Sequence, residues 1–196
     1  MIDTSIKLIF SGLAIGLTFV AFVPYICSIL KGQTRPHVFS WFIWGITTVI
    51  VFFAQLEAEG GIGAWPIGIS GVITVGVAVL AFTKRADISI TRTDWLFFSA
   101  ALGSLPFWYL TSDPLWTVVV LTIVDMLGFG PTIRKAYRFP HQESQLFFLS
   151  FMLRGCFAIL ALESYSVTTV LFPLCIALAC LLLLIIVAWR RKTMPA

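Results

Sequence analysis

Residues 8–84 lie on residues 115–191 without a gap when the chain is shifted by 107 positions. Leu8 falls on Leu115, Phe22 on Phe129, Pro24 on Pro131 and Ile26 on Ile133. Further along, Ala54 meets Ala161, Pro66 meets Pro173, Ile69 meets Ile176 and Ala81 meets Ala188. Identities are few, but apolar segments, prolines and basic ends fall in phase. A block copied once within a strongly apolar chain restricts the fold to two like halves, the arrangement of many membrane carriers.

The solvent follows from composition. Apolar residues make up 59% of the chain and charged residues 11%, against about 25% charged in an ordinary soluble domain. Mean hydropathy is +0.99. A soluble fold could not hide so much apolar surface, so lipid is the expected surrounding. The net charge of +4 sits in short loops and forms no basic stripe, which argues against nucleic acid and for a membrane topology signal. Cys27, Cys156, Cys175 and Cys180 all lie in apolar segments without a CxxC spacing and are expected to be reduced packing residues. The N-terminal apolar run is too long for a signal peptide, lacks a small-residue cleavage site and forms part of the repeat.

A membrane helix needs about 20 mostly apolar residues. The chain offers seven such segments, at 8–30, 38–56, 64–83, 95–110, 115–133, 146–162 and 167–189. Three belong to each repeat and the fourth joins them. The expected fold is therefore all-α and membrane-integral: a bundle over 1–86, a linker helix over 87–113, and a second bundle with a basic tail over 114–196. An odd linker returns the chain to its starting side, so the repeats run parallel. Charge tests this independently. With seven spans, Lys31 and Arg35, Lys84, Arg85 and Arg92, Arg134, Lys135 and Arg138, and the tail Arg190, Arg191 and Lys192 all fall on one side. The positive-inside rule then places the N-terminus outside and the C-terminus in the cytoplasm, in a plasma or bacterial inner membrane. Trp65, Trp108, Tyr109 and Trp116 sit near the expected outer ends, and Trp95, Tyr137 and Trp189 near the inner ones.

A 3+1+3 order with a proline late in the first helix of each repeat resembles the SWEET carriers and the wider PQ-loop superfamily. The residues carrying this are Pro24-Tyr25, Lys31-Gly32-Gln33-Thr34, Ser40, Trp41 and Trp44, with Pro131-Thr132, Arg134-Lys135, Phe147, Phe148 and Phe151 in the second half. Pro-Tyr and Pro-Thr stand where the superfamily has Pro-Gln, and the chain contains no asparagine. The resemblance implies a central pocket between two triple-helix bundles and alternating access. It also covers cargo receptors, so a non-transporting receptor or partner-binding protein is the alternative function.

Charges inside apolar helices mark function. At 1.5 Å per residue, Asp125 lies about 15 Å into the fifth segment and Arg154 about 12 Å into the sixth, from opposite faces of a core about 30 Å thick. Lone charges at that depth cost at least about 2.5–3.5 kcal/mol each, so the two are expected to pair and to face the interior. They serve either as a clasp between helices or as part of a pocket. In the first repeat their places are taken by Thr18 and Thr47, hydroxyls that can also bond their own backbone. Ser40, Trp44, Thr47, Val51 and Gln55 share one helical face; Ser11, Thr18 and Tyr25 share another; Ser70 and Thr74 form a third stripe. The candidate substrate-binding set is Asp125, Arg154, Thr18, Thr47 and Trp44, around a small polar or anionic solute. Trp41 and Trp44 offer stacking faces. Pro24 and Pro131 each remove a helix hydrogen bond and are candidate hinges, the second loosened further by Gly128 and Gly130. Gly12 and Gly16 offer a small-residue contact face. His37 and His141, each following a proline in a cytoplasmic loop, make a weak metal or pH-sensing signal and are expected to be solvated loop residues. No P-loop, HExxH, nucleophile elbow or paired carboxylate occurs, so no enzymatic activity, metal or cofactor is expected. The partners expected are a small-molecule solute and the bilayer; a homo-oligomer is left open.

Overall fold

The apolar segments become helices because nothing within them competes. They are rich in Leu, Ile, Phe, Val and Ala, and their few prolines fall within about two turns of a helix end. In the computed structural model, residues 3–32, 36, 38–84 and 92–194 are described, and within α4 and α5 some side chains are left aside. Among these residues no strand occurs, and seven α-helices do: α1 (Thr4–Leu30), α2 (Val38–Glu57), α3 (Trp65–Thr83), α4 (Arg92–Thr111), α5 (Leu115–Arg138), α6 (Gln145–Leu160) and α7 (Val167–Thr193). Each coincides with one of the seven apolar segments. Four stretches, Thr4–Leu30, Val38–Glu57, Gly61–Thr83 and Val167–Thr193, are long and apolar enough to cross a bilayer. The apolar parts of α5 and α6, Leu115–Phe129 and Gln145–Ala161, are shorter.

Helix starts are set locally. Ser144 accepts the Phe147 N–H at 3.2 Å and so caps α6. Ser166 opens α7 with a reciprocal capping box, in which Thr169 N–H donates to Ser166 Oγ and Ser166 N–H donates to Thr169 Oγ1.

Burial runs opposite to that of a soluble protein. Large apolar side chains point outward: Leu8 is 62% exposed, Val72 70% and Ile185 58%. Polar ones point in, with Thr18, Thr47, Gln55, Thr117, Thr169, Asp125 and Arg154 all buried. Such an exterior suits hydrocarbon and not water.

α3 packs against both α1 and α2, and α7 against both α5 and α6. The halves meet where α1 lies on α6 and α2 on α5, while α4 leans on α5 and α2. Glycines allow the closest approaches. A Cβ at Gly45 would sit 2.7 Å from Val75 Cγ2, and one at Gly155 would sit 2.8 Å from the Pro173 carbonyl oxygen. Gly12 and Gly16, expected to form such a contact, do not. Both are exposed with nothing within 4 Å of a built Cβ. They sit on the outer face of α1, where the pattern of small residues meets no helix.

Candidate functional site

A cavity of about 540 Å³ lies between the halves. It descends from Ser144, exposed in the α5–α6 connection, to Asp125, Arg154 and Cys180, all buried. Ten of its lining residues form five pairs related by the 107-residue shift: Ala21 with Gly128, Phe22 with Phe129, Tyr25 with Thr132, Trp41 with Phe148, and Trp44 with Phe151. The duplication seen in sequence is thus also a duplication of cavity wall.

The upper wall is aromatic. Tyr25 stacks on Trp41 with centroids 5.0 Å apart, Trp41 meets Trp44 edge-on at 5.7 Å, and Phe147 stacks on Phe151 at 4.6 Å. Phe22 bridges the halves, 6.2 Å from Trp41 and 5.5 Å from Phe151. At Gly128 the backbone of α5 comes so near that a Cβ would lie 3.1 Å from the Trp44 indole nitrogen.

The expected site residues divide. Asp125, Arg154, Trp44 and Pro24 line the cavity. Thr18 and Thr47 do not, although both are fully buried. Thr18 Oγ1 donates to the Ala14 carbonyl at 2.9 Å, the backbone bond open to any hydroxyl in a helix. Thr47 Oγ1 reaches across to α5 and donates to Asp125 Oδ1 at 3.1 Å, and it also lies 3.0 Å from the Trp44 carbonyl. One residue on, Thr48 faces the cavity instead, with Ser70 and Thr74 from α3. Pro24 sits inside an unbroken α1. The side chain of Pro131 lies outside the described residues, as do those of Trp108, Gly130, Arg134 and Lys135. Gln33, Thr34, Arg35, His37 and Arg85 also lie outside them. His141 Nε2 is 3.1 Å from the Met194 carbonyl oxygen in an exposed setting.

Asp125 and Arg154 both face the interior, as expected, but they do not pair. Asp125 is held by Thr47. Arg154, 2% exposed, makes no hydrogen bond within the described residues, and its Nε and Nη1 are buried without a partner. Its Cζ instead lies 4.6 Å from the Phe151 ring centroid. A cation–π contact supplies about 0.5–2 kcal/mol, less than the several kcal/mol that an uncompensated buried charge costs. The pair fails to form because α5 and α6, adjacent in sequence, both dock on α7. The carboxylate and guanidinium therefore border the same space from different walls. If Thr47 positions Asp125, replacing it by the near-isosteric valine should cost about 1–2 kcal/mol of stability. Thermal unfolding of Thr47→Val in detergent checks this, and an unchanged midpoint would show that the bond contributes nothing.

At the other end the two halves are sealed. Gln55 Nε2 donates to the Thr169 carbonyl at 2.6 Å. Glu163 N–H donates to the Gly60 carbonyl at 3.1 Å, and Ile62 N–H to Glu163 Oε1 at 3.3 Å. Ser11 Oγ donates to the Ile62 carbonyl at 2.8 Å. Ala64, Ala161 and Leu162 are fully buried there.

All four cysteines are free, as their sequence setting suggested, and Cys180 lies on the cavity wall. No family model, no curated protein and no solved structure matches the chain.

Proposed function

We infer that this protein is an integral membrane transporter of SWEET/PQ-loop type, moving a small polar or anionic solute by alternating access. The observation that carries this is the cavity wall built from five repeat-related pairs, open at one end and hydrogen-bonded shut at the other. A pocket shared by two like halves can be exposed to either side by rocking one half on the other. Helix packing supports two triple bundles joined by α4, since α3 binds both its partners just as α7 does. The wide end carries Lys31, Lys84, Arg92, Arg138, Arg190, Arg191 and Lys192. That bias favours a cytoplasmic mouth and an external seal. Pro24, on the cavity wall, is a hinge in this scheme, and Pro131 is its counterpart by the repeat.

The test is uptake. Purified protein reconstituted in liposomes should accumulate at least one member of a panel of sugars, amino acids and vitamins above protein-free liposomes. Absence of flux for every member, with cavity ligands still binding, would make the protein a receptor and end the transporter assignment.

A further inference from the structure

Two side chains of opposite charge border one cavity, and neither neutralises the other. Asp125 accepts from Thr47, a neutral donor. Arg154 has no hydrogen-bond partner within the described residues, although it is 2% exposed. Each is uncompensated in a place where compensation matters most. A simple anion would satisfy Arg154 but bring a second negative charge into the space that Asp125 already borders. A simple cation would do the reverse. A solute carrying both signs satisfies both, and the filled site stays neutral, which lowers the electrostatic cost of carrying it through hydrocarbon.

The walls narrow the class further. One guanidinium balances one negative charge in a planar, forked geometry, which matches a carboxylate better than a dianionic phosphate. The aromatic wall of Phe22, Trp41, Trp44, Phe147 and Phe151 accepts an apolar, flat body, and its ring faces favour a nearby ammonium. A space of about 540 Å³ suits one small molecule. Resting on the assignment of this cavity as the solute site, we propose that it takes a zwitterion with an apolar body, its carboxylate on Arg154 and its ammonium on Asp125.

Three compounds of one skeleton test this: phenylalanine, 3-phenylpropanoate and 2-phenylethylamine, titrated into the detergent-solubilised protein near neutral pH by calorimetry. Phenylalanine should bind at least about 10-fold more tightly than either singly charged analogue. Arg154→Gln should reduce phenylalanine to the affinity of phenylethylamine, and Asp125→Asn should reduce it to that of phenylpropanoate. Arg154→Lys, which keeps the charge without the fork, should recover part of the loss and control for folding. Phenylpropanoate or phenylethylamine binding as tightly as phenylalanine would overturn the proposal, as would no binding by any of the three. Arg154-dependent uptake of phenylpropanoate with no preference for phenylalanine would sink the zwitterion and leave the transporter standing. Tight phenylalanine binding without flux of any compound would do the opposite.

Discussion

Arg154→Leu is expected to give a protein more stable than its parent and unable to take up solute. The two effects part because Arg154 has no counter-ion within the described residues. Its Nε and Nη1 are buried without acceptors, and its Cζ lies over the Phe151 ring. Even replacing buried ion pairs by well-packed apolar residues of similar volume often stabilises by about 1–4 kcal/mol, because desolvation outweighs the attraction, and Arg154 lacks even that attraction. Thermal unfolding in detergent should therefore move upward. The same change removes the cationic anchor from the cavity. Losing one member of a buried, hydrogen-bonded charge pair costs about 2–5 kcal/mol, so uptake should fall by about 30-fold or more. A helix clasp predicts the reverse pattern: lower stability with uptake preserved. One variant and two measurements thus separate the two roles that the sequence alone left open for this residue.

Gly63→Val should open the sealed end. A Cβ at Gly63 would lie 2.5 Å from the Leu162 backbone nitrogen and 2.8 Å from the Ala161 carbonyl carbon. Neither is the tip of a flexible side chain, so the α2–α3 and α6–α7 connections must move apart. Overpacking of this kind costs about 1–3 kcal/mol, and the cost falls on the sealed conformation alone. An equilibrium biased by that amount shifts about 5–150-fold. The readout is a cysteine at Ala158, which is 1% exposed and lies on α6 one turn below the seal. In a cysteine-free background, Ala158→Cys should resist a membrane-impermeant maleimide. Added Gly63→Val should make it react from the sealed side, and uptake should fall because one of the two alternating states is lost. Unchanged labelling would mean that the seal tolerates the extra carbons and is not the gate.

The helices were legible because a bilayer solvent leaves little room for other solutions. Apolar runs of the right length, ended by Lys31-Gly32, Glu57 to Gly60 and Lys84, give boundaries within a few residues of those found. Burial was legible too: Asp125 and Arg154 are both buried, and both line the cavity. Azimuth was not. Thr47 and Thr48 differ by about 100° around a helix axis, and matching residues by the repeat selects depth without choosing between them. The stripe Trp41, Trp44 and Thr48, spaced by three and four, was available in the sequence and names the cavity face. The longer stripe through Val51 and Gln55 belongs to the core, where both are fully buried. Neighbourhood was misleading for the charged pair, because adjacency along the chain does not tell which helix lies between two others. Phe147 and Phe151 were not among the expected binding residues, since phenylalanine occurs in every segment. Only their register with Ser40 and Trp44 set them apart.

The two ends of the molecule join the halves by different forces. At one end stand the Gln55–Thr169, Glu163–Gly60 and Ile62–Glu163 hydrogen bonds. At the other, rings of Phe22 and Tyr25 rest on those of Phe147 and Phe151. Hydrogen bonds weaken steeply once their angle is lost, whereas apolar burial has no preferred direction. On the alternating-access reading proposed above, the first end would serve as a latch that releases all at once, and the second as a bearing on which surfaces slide without a threshold.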